Sequence, residues 1–311
     1  MRLRKGSNAS VQRSPNIELL AWYGTHGRAT LPWRTTRDPY RIVVSEFMLQ
    51  QTQVDRVLPA YARFIDAYPS LEALSRASRA DIIRAWKGLG YNMRAVRLHE
   101  LARAVVAQYG GEMPSGVEQL RALPGIGPYT AAAIRAFAFE LDDVAVDVNI
   151  RRVVHRIQFG LEHPPRANAK EVDDAARALL PRGRAHDWNS AMMDLGATIC
   201  TARIPKCTQC PVLAACAAAP HGEAEIARSS QARLAAKRQG PQARLPFPKT
   251  RRYVRGRILD QLRTLEPGAV VLPADLVARV DLARGNSFDE IVDGMERDGL
   301  VVRDSGGIRL R

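Results

Sequence analysis

Cysteine is scarce in this 311-residue chain: there are four, Cys200, Cys207, Cys210 and Cys216, and all lie in one short stretch. So clustered a set does not make a disulfide framework, which also needs an oxidising compartment. Long apolar runs are missing as well. No stretch approaches the roughly 18 uncharged apolar residues of a membrane span. The start, Met-Arg-Leu-Arg-Lys-Gly-Ser-Asn, leads into no apolar core of signal-peptide length. The expectation is a cytoplasmic, nucleoid-associated protein with no membrane partner. Acidic residues are in deficit, 32 against 46 Lys plus Arg, which leaves a formal charge of +14. That excess says nothing about fold but favours a polyanionic partner, above all nucleic acid. With 46% hydrophobic and 25% charged residues, wholesale disorder is excluded. The length allows two or three domains.

What charge there is sits unevenly. Between Glu223 and Arg257 ten Lys or Arg stand against two Glu, a local net charge of +8. The segment is rich in Ala, Gln, Ser and Pro and keeps no apolar period, so it reads as a basic linker, either a solvated spacer or a DNA-tracking tether. The cysteines are spaced C-x6-C-x2-C-x5-C. Structural zinc usually takes two short C-x2-C knuckles, whereas one knuckle between wider gaps suits a loop wrapped around a larger cluster, so [4Fe-4S] is favoured over zinc. Arg203 and Lys206 add cationic side chains to the first gap.

From Ser14 to Cys216 helix punctuation is dense and strand alternation nearly absent, which predicts an all-α body. Ser14-Pro15 and Asp38-Pro39 open helices, the second running to Leu49. Ser78-x-x-Asp81 begins another, Asn92 to Gln108 forms a helix stopped by Gly110-Gly111, and Ser115-x-x-Glu118 reads as a capping box. Asn168 and Asp187 read as further N-caps. Beyond the linker, helices over Val254–Leu265 and Ser287–Met295 precede a small hairpin turning at Asp304-Ser305-Gly306-Gly307, the pattern of a winged helix.

Three local patterns carry chemistry. Leu123-Pro124-Gly125-Ile126-Gly127-Pro128-Tyr129-Thr130 places two glycines in a tight turn between helices, and the free amides of the second helix can hold a DNA phosphate without reading sequence. Val144-Ala145-Val146-Asp147-Val148-Asn149 delivers one carboxylate to the mouth of a new helix, where it serves either as N-cap or as catalyst. Glu46 lies in the mostly apolar run Ile42 to Leu49. If buried, it holds its proton by a raised pKa and becomes a general acid; otherwise it sits on a wet face or is neutralised by Arg34.

Pro32-Trp33-Arg34, Asp38-Pro39-Tyr40, Ser45-Glu46-Phe47-Met48-Leu49-Gln50-Gln51-Thr52-Gln53-Val54, Gly88-Leu89-Gly90-Tyr91, the glycine turn, Val146-Asp147-x-Asn149, and Met192-Met193-Asp194-Leu195-Gly196-Ala197 before the cysteines together resemble the helix-hairpin-helix DNA glycosylases. The wording is most like that of the MutY-type adenine glycosylases, over residues 14–216. The resemblance implies a two-lobed α-helical fold, a [4Fe-4S] cluster on the four cysteines, and a monomer acting on double-stranded DNA with a mismatch or lesion. It implies a domain over 14–222 after a disordered basic segment 1–13, then a linker 223–253 and a winged-helix-like domain 254–311. By the same resemblance Glu46 protonates a flipped adenine mispaired with 8-oxoguanine or guanine, and Asp147 stabilises the cationic sugar. Asn149, Arg34, Leu49, Gln51, Thr52 and Ser190 line the base pocket, Gln51 and Tyr91 wedge the stack and hold the opposite base, and Gly125 and Gly127 bind backbone. Tyr129 stands where bifunctional endonuclease III relatives carry a Schiff-base lysine, so a monofunctional enzyme without lyase activity is expected.

Three departures qualify this pattern. The large C-terminal domain by which many MutY-type enzymes read 8-oxoguanine is missing, as in some actinobacterial members. Asn92 replaces a second tyrosine, and Ser190 replaces a Gln or Glu. Thymine-mismatch glycosylases, acting on T or U opposite G, resemble the chain too, and a non-catalytic iron–sulfur DNA-binding protein is the reading from another class.

Overall fold

The computed structural model describes residues 15–238, 246–280, 287–304 and 306–311. The N-terminal segment 1–13, expected to be disordered, lies outside the described residues. In chain order the helices are α1 (Pro15–His26), α2 (Pro39–Leu49), α3 (Val54–Ala67), α4 (Leu71–Arg76), α5 (Arg79–Ala85), α6 (Met93–Tyr109), α7 (Val117–Ala122), α8 (Pro128–Phe137), α9 (Val148–Gln158), α10 (Ala169–Leu179), α11 (Ala185–Thr198), α12 (Gly222–Arg238), α13 (Arg251–Arg263), α14 (Pro273–Arg279) and α15 (Phe288–Arg297). A hairpin of β1 (Val301–Asp304) and β2 (Gly307–Leu310) follows. Among the described residues no helix is long and apolar enough to cross a membrane.

The punctuation works largely as read. Asp38 caps α2, accepting from the Tyr40 and Arg41 amides, with Pro39 at the first position. Ser78 caps α5, Asn168 and Glu171 form a reciprocal capping box on α10, and Gly110 ends α6 in the left-handed region at φ 64°. Two caps differ. Gly116 rather than Ser115 caps α7, and α11 begins at Ala185 with Asp187 already inside its first turn, paired with Arg184 at 2.9 Å. An acidic residue suits the first turn as well as the cap, so sequence alone places such a start only to within a residue or two.

The chain divides into two compact units, Met1–Thr35 with Arg135–Gln239, and Thr36–Ile134 with Gly240–Arg311. In the first, α1, α9, α10 and α11 enclose a core of Leu19, Ile150, Val153, Val154, Trp188 and Met192, against which Cys200, Cys210 and Cys216 pack. Part of the segment read as a linker belongs here: Gly222–Arg238 is helical, and Ile226, Ser229 and Ser230 of α12 are buried. The Arg156 guanidinium donates to Ser230 Oγ at 2.6 Å, while Glu162 takes Arg156 at 3.1 Å and Arg233 at 3.2 Å. Polar anchoring of this kind leaves no apolar period to read. Of the rest of the linker, 239–245 lie outside the described residues, while 246–253 carry a 3-10 turn over Phe247–Lys249 and the start of α13 at Arg251.

In the second unit, helices α13, α14 and α15 precede the β1–β2 hairpin. The antiparallel two-stranded β1–β2 ladder pairs Val301 with Leu310 and Asp304 with Gly307, and an isolated bridge joins Val271 to Ile308. The core of this module, with Val254, Ile258, Leu259, Ile291 and Leu300, is continuous with Ile83 of α5 and Val96 of α6. Arg263 seals the joint, donating to the Ile83 carbonyl at 3.0 Å and to Asn92 Oδ1 at 2.7 Å. Asn92, the departure noted above, thus serves as the acceptor for Arg263.

Candidate active site and cysteine loop

The first unit holds Asp147 at the mouth of α9. Its Oδ1 accepts from the Asn149 amide at 2.9 Å and the Ile150 amide at 2.7 Å, and Oδ2 accepts from Asn149 Nδ2 at 2.8 Å. Asp147 is thus the N-cap of α9, as its place before the helix implied. Burial pushes its pKa above the ordinary aspartate value, with these hydrogen bonds and the Arg152 charge opposing. The approach to Asp147 is braced by Asn189, fully buried, whose Oδ1 accepts from the Ala145 amide at 2.9 Å while Nδ2 donates to Asp143 and Ala185 carbonyls.

Behind Asp147 runs a continuous relay. Asn149 Oδ1 accepts from Arg152 Nη2 at 2.9 Å, and the same guanidinium donates to the Gly196 carbonyl at 2.6 Å and the Cys200 carbonyl at 2.8 Å. One turn further, Arg156 reaches Cys200 Sγ at 3.2 Å and the Thr201 carbonyl at 2.9 Å. Gly196 is required here: a Cβ at that position stands 2.6 Å from Asn149 Cβ. These arginines are sites the sequence reading missed, although Asn149, Arg152 and Arg156 recur at the spacing of one helical face.

All four cysteines are free and half-buried. Burial raises the thiol of Cys210 to about 12, and Cys207 and Cys216 also move up, each thiol disfavouring ionisation of the others. Among the described residues no three His, Cys, Asp or Glu side chains converge on a single metal ion. The chemistry of the set, four thiol donors with Arg152 on the Cys200 carbonyl and Arg156 on Cys200 Sγ, suits an anionic thiolate-bound metal group.

Arg34 and Ser190 also fall in this unit. Arg34, weighed as a counter-ion for Glu46, donates to Asp194 at 3.2 Å and to the Tyr23 hydroxyl at 3.1 Å. Arg28 reaches the same carboxylate at 2.6 Å. Ser190 is fully buried in α11, and its hydroxyl has no hydrogen-bond partner.

The second unit carries the remaining candidates. Glu46 is buried in α2 at 7% exposure among Val43, Val44, Phe47 and Met48, which excludes the wet-face reading. Leu49 ends α2, and Gln51 follows in the left-handed region at φ 56°, as does Tyr91 at φ 44°. Both turns hang on one buried cation that sequence reasoning missed. Arg94 donates to the carbonyls of Phe47, Met48, Gln50, Leu89 and Gly90, and at 3.0 Å to Thr52 Oγ1. Burial draws its pKa down to about 10. In the hairpin, Gly125 has φ 79°, and a Cβ there meets Phe47 at 2.9 Å and Arg97 at 3.1 Å. Gly127 faces open space instead. Tyr129 is half-buried in the first turn of α8.

A family model described as HhH-GPD superfamily base excision DNA repair protein matches residues 44–182. An adenine DNA glycosylase of Mycolicibacterium smegmatis is 39% identical over 296 residues, covering 94% of each chain. The chain belongs to the HhH-GPD superfamily. It is also similar to a thymine/uracil-DNA glycosylase of Methanothermobacter thermautotrophicus, 36% identical over 64% of this chain and 90% of the relative. Among solved structures it resembles a thermostable thymine-DNA glycosylase, with a TM-score of 0.62 and 35% identity over 66% of this chain and 95% of that one. The likeness to the mycobacterial HhH-GPD enzyme runs almost end to end, whereas the thymine-type likenesses leave a third of the chain unmatched.

Proposed function

We propose that this chain is a monofunctional adenine DNA glycosylase of base excision repair, removing adenine mispaired with 8-oxoguanine or guanine. The observation that carries the reading is the near end-to-end likeness to a mycobacterial adenine DNA glycosylase, in a chain that keeps Glu46 and Asp147. In this reading double-stranded DNA binds first, drawn by the +14 charge, and the target nucleotide is flipped out of the stack. Glu46, buried in α2, acts as the general acid that passes a proton to the adenine ring, so that the base leaves neutral. Asp147, oriented by Asn149, faces the positive charge that develops on the deoxyribose as the N-glycosidic bond breaks. Water then attacks the sugar carbon, and its proton leaves to solvent.

Arg34, Leu49, Gln51, Thr52, Asn149 and Ser190 are assigned to the base pocket and its rim, with Gly125 and Gly127 at the backbone. Tyr129 offers no amine for an imine, so strand cleavage is not part of the reaction. Cys200, Cys207, Cys210 and Cys216 would hold a [4Fe-4S] cluster, which when bound stiffens the loop and adds a redox-active anionic centre. What this chain's own residues contribute there is the link from the Cys200 carbonyl through Arg152 and Asn149 to Asp147.

The test is single-turnover base release from duplexes bearing A:8-oxoguanine, A:G, T:G and U:G, developed with alkali. Adenine release fastest opposite 8-oxoguanine is expected. Glu46→Gln should abolish release while leaving DNA affinity within a few-fold, and unchanged turnover in that variant removes Glu46 from the mechanism. Release of T or U opposite G moves the chain to the thymine-mismatch class, and silence on all four favours the non-catalytic iron–sulfur binder.

A further inference from the structure

Helix α12 belongs to the first unit, the proposed chemistry leaves it unused, and the side by which it docks is polar. Glu223, Ile226, Ser229, Ser230 and Arg233 follow one another at the spacing of a single helical face. A packing helix ordinarily buries an apolar stripe; of these five only Ile226 is apolar, while Ser229 and Ser230 are 5% and 0% exposed. The face meets three partners. Ser229 Oγ accepts from the His163 amide at 2.8 Å and donates to the His163 carbonyl at 3.3 Å. Glu223 accepts from the Thr208 amide at 3.1 Å, inside the 3-10 turn Cys207–Gln209. The third partner is the buried Glu162. Its Oε1 pairs with Arg233 at 3.2 Å, and its Oε2 takes Arg156 Nη2 at 3.1 Å and the Ser230 hydroxyl. Arg156, itself buried, turns its other nitrogen, Nη1, to Cys200 Sγ at 3.2 Å and the Thr201 carbonyl at 2.9 Å. Helix α12 therefore grips the cysteine loop twice, directly at Thr208 and through Glu162 and Arg156 at Cys200.

Resting on the reading that the four cysteines hold a metal group, we propose that α12 is a strap on the cysteine loop, docked when the loop is loaded and loosened when it is empty, with Glu162 as the positioning residue that couples the two. A buried polar contact holds only while every member is paired, and a half-satisfied one is worse than an apolar face. Cys200, held as a ligand, fixes the edge of Arg156 that donates to it, and the opposite edge then meets Glu162 and Ser230. Cys200 set free leaves Arg156 without two of its acceptors and Glu162 without a fixed cation. The docking face of α12 offers no apolar stripe to make up that loss. By linkage the coupling is reciprocal: undocking α12 weakens metal retention by the factor by which removing the metal weakens docking.

The experiment uses the full-length protein, loaded and after stripping with a chelator, and compares wild type with Glu162→Gln, Ser230→Ala and Glu225→Gln. Glu225 pairs only with Arg228 within α12 and is the control. Hydrogen exchange reads the amides of α12 and α10, and a colour-forming chelator reads the rate of metal loss, whether iron or zinc. Stripping the wild type should speed α12 exchange at least about tenfold and leave α10 unmoved. Glu162→Gln and Ser230→Ala should each hasten metal loss roughly tenfold, the scale of one buried hydrogen bond to a charged group, while Glu225→Gln matches wild type. Should Glu162→Gln fail to fold, Ser230→Ala decides alone. Equal α12 exchange in both states overturns the strap, as does a rise shared by α10, which marks general loosening of the unit, or wild-type metal loss in the variants. Those outcomes leave the metal reading standing, whereas a wild-type protein that binds neither iron nor zinc overturns the metal reading and the strap together.

Discussion

Asp147 illustrates a conflict that single residues carry at functional sites. Its carboxylate caps α9, and burial favours the protonated form, whereas the proposed reaction uses the ionised one. Because the folded-state pKa lies above that of the unfolded chain, the contribution to stability is full at low pH and is lost as pH rises through the folded value, so the ionised form at neutral pH costs stability. Two consequences are measurable. The acid limb of the pH–rate profile should lie above the ordinary aspartate value of about 3.9. Asp147→Asn, which keeps an N-cap and removes the buried charge, should lose base release with a melting temperature no lower than wild type. An acid limb at or below the ordinary value, or a clear drop in melting temperature, contradicts this account. Asp147 was legible in the sequence from its place before a helix, but Asn189, which braces the approach to it, and Arg152, which holds Asn149, were not, since they arrive from α11 or point back from α9.

At the scale of elements, α9 and α11 meet so closely that side-chain volume decides the geometry. Gly196 lies against Asn149 with no room for a methyl group, and overpacking a tight contact typically costs about 1–3 kcal/mol. Gly196→Ala should therefore push Asn149 away from Asp147 and lower single-turnover release at least tenfold while DNA binding persists; wild-type rates in that variant would show the contact to be slack. Helix starts were readable where a Ser, Asn or Asp cap preceded a proline or an apolar run. They were less so at α7, where Gly116 takes the cap, and invisible at α12, whose buried face is built from Ile226, Ser229 and Ser230 rather than from an apolar stripe. Arg94 is illegible for a related reason: a lone arginine on a helix reads as solvated, and only the fold shows seven acceptors converging on it.

For the whole molecule, charge and cofactor content are the quantities to measure. A +14 chain that neutralises several phosphates should lose affinity steeply with salt, log Kd rising linearly with log salt at about 0.9 per phosphate contacted. A flat response would place the excess charge outside the DNA interface. Purified protein should contain close to four iron and four sulfide per chain, in line with the four-cysteine ligand set, and chelation of that iron should lower base release by disturbing Cys200 and, through Arg152, Asn149. One zinc per chain instead would overturn the cluster assignment. The second unit also sets a limit on truncation. The C-terminal module shares its core with Ile83 and Val96, so a cut after the cysteine loop exposes that core rather than trimming a tail.

The sequence by itself determined what depends on neighbours along the chain: the helical body, most caps, the glycine turn, the cysteine spacing, and the identities of Glu46 and Asp147 as the carboxylates to watch. Residues close in sequence share backbone geometry, so their patterns survive in the string of letters. Only the tertiary structure decided which distant groups meet. It tied Asp147 to Cys200 through Asn149 and Arg152, hung the Gln51 and Tyr91 turns on Arg94, paired Asn92 with Arg263, and laid Arg252 over Tyr91, 161 residues away. Such contacts are chosen by packing and by the need to satisfy buried polar groups once the chain has closed on itself, and that requirement leaves no period or spacing in the sequence.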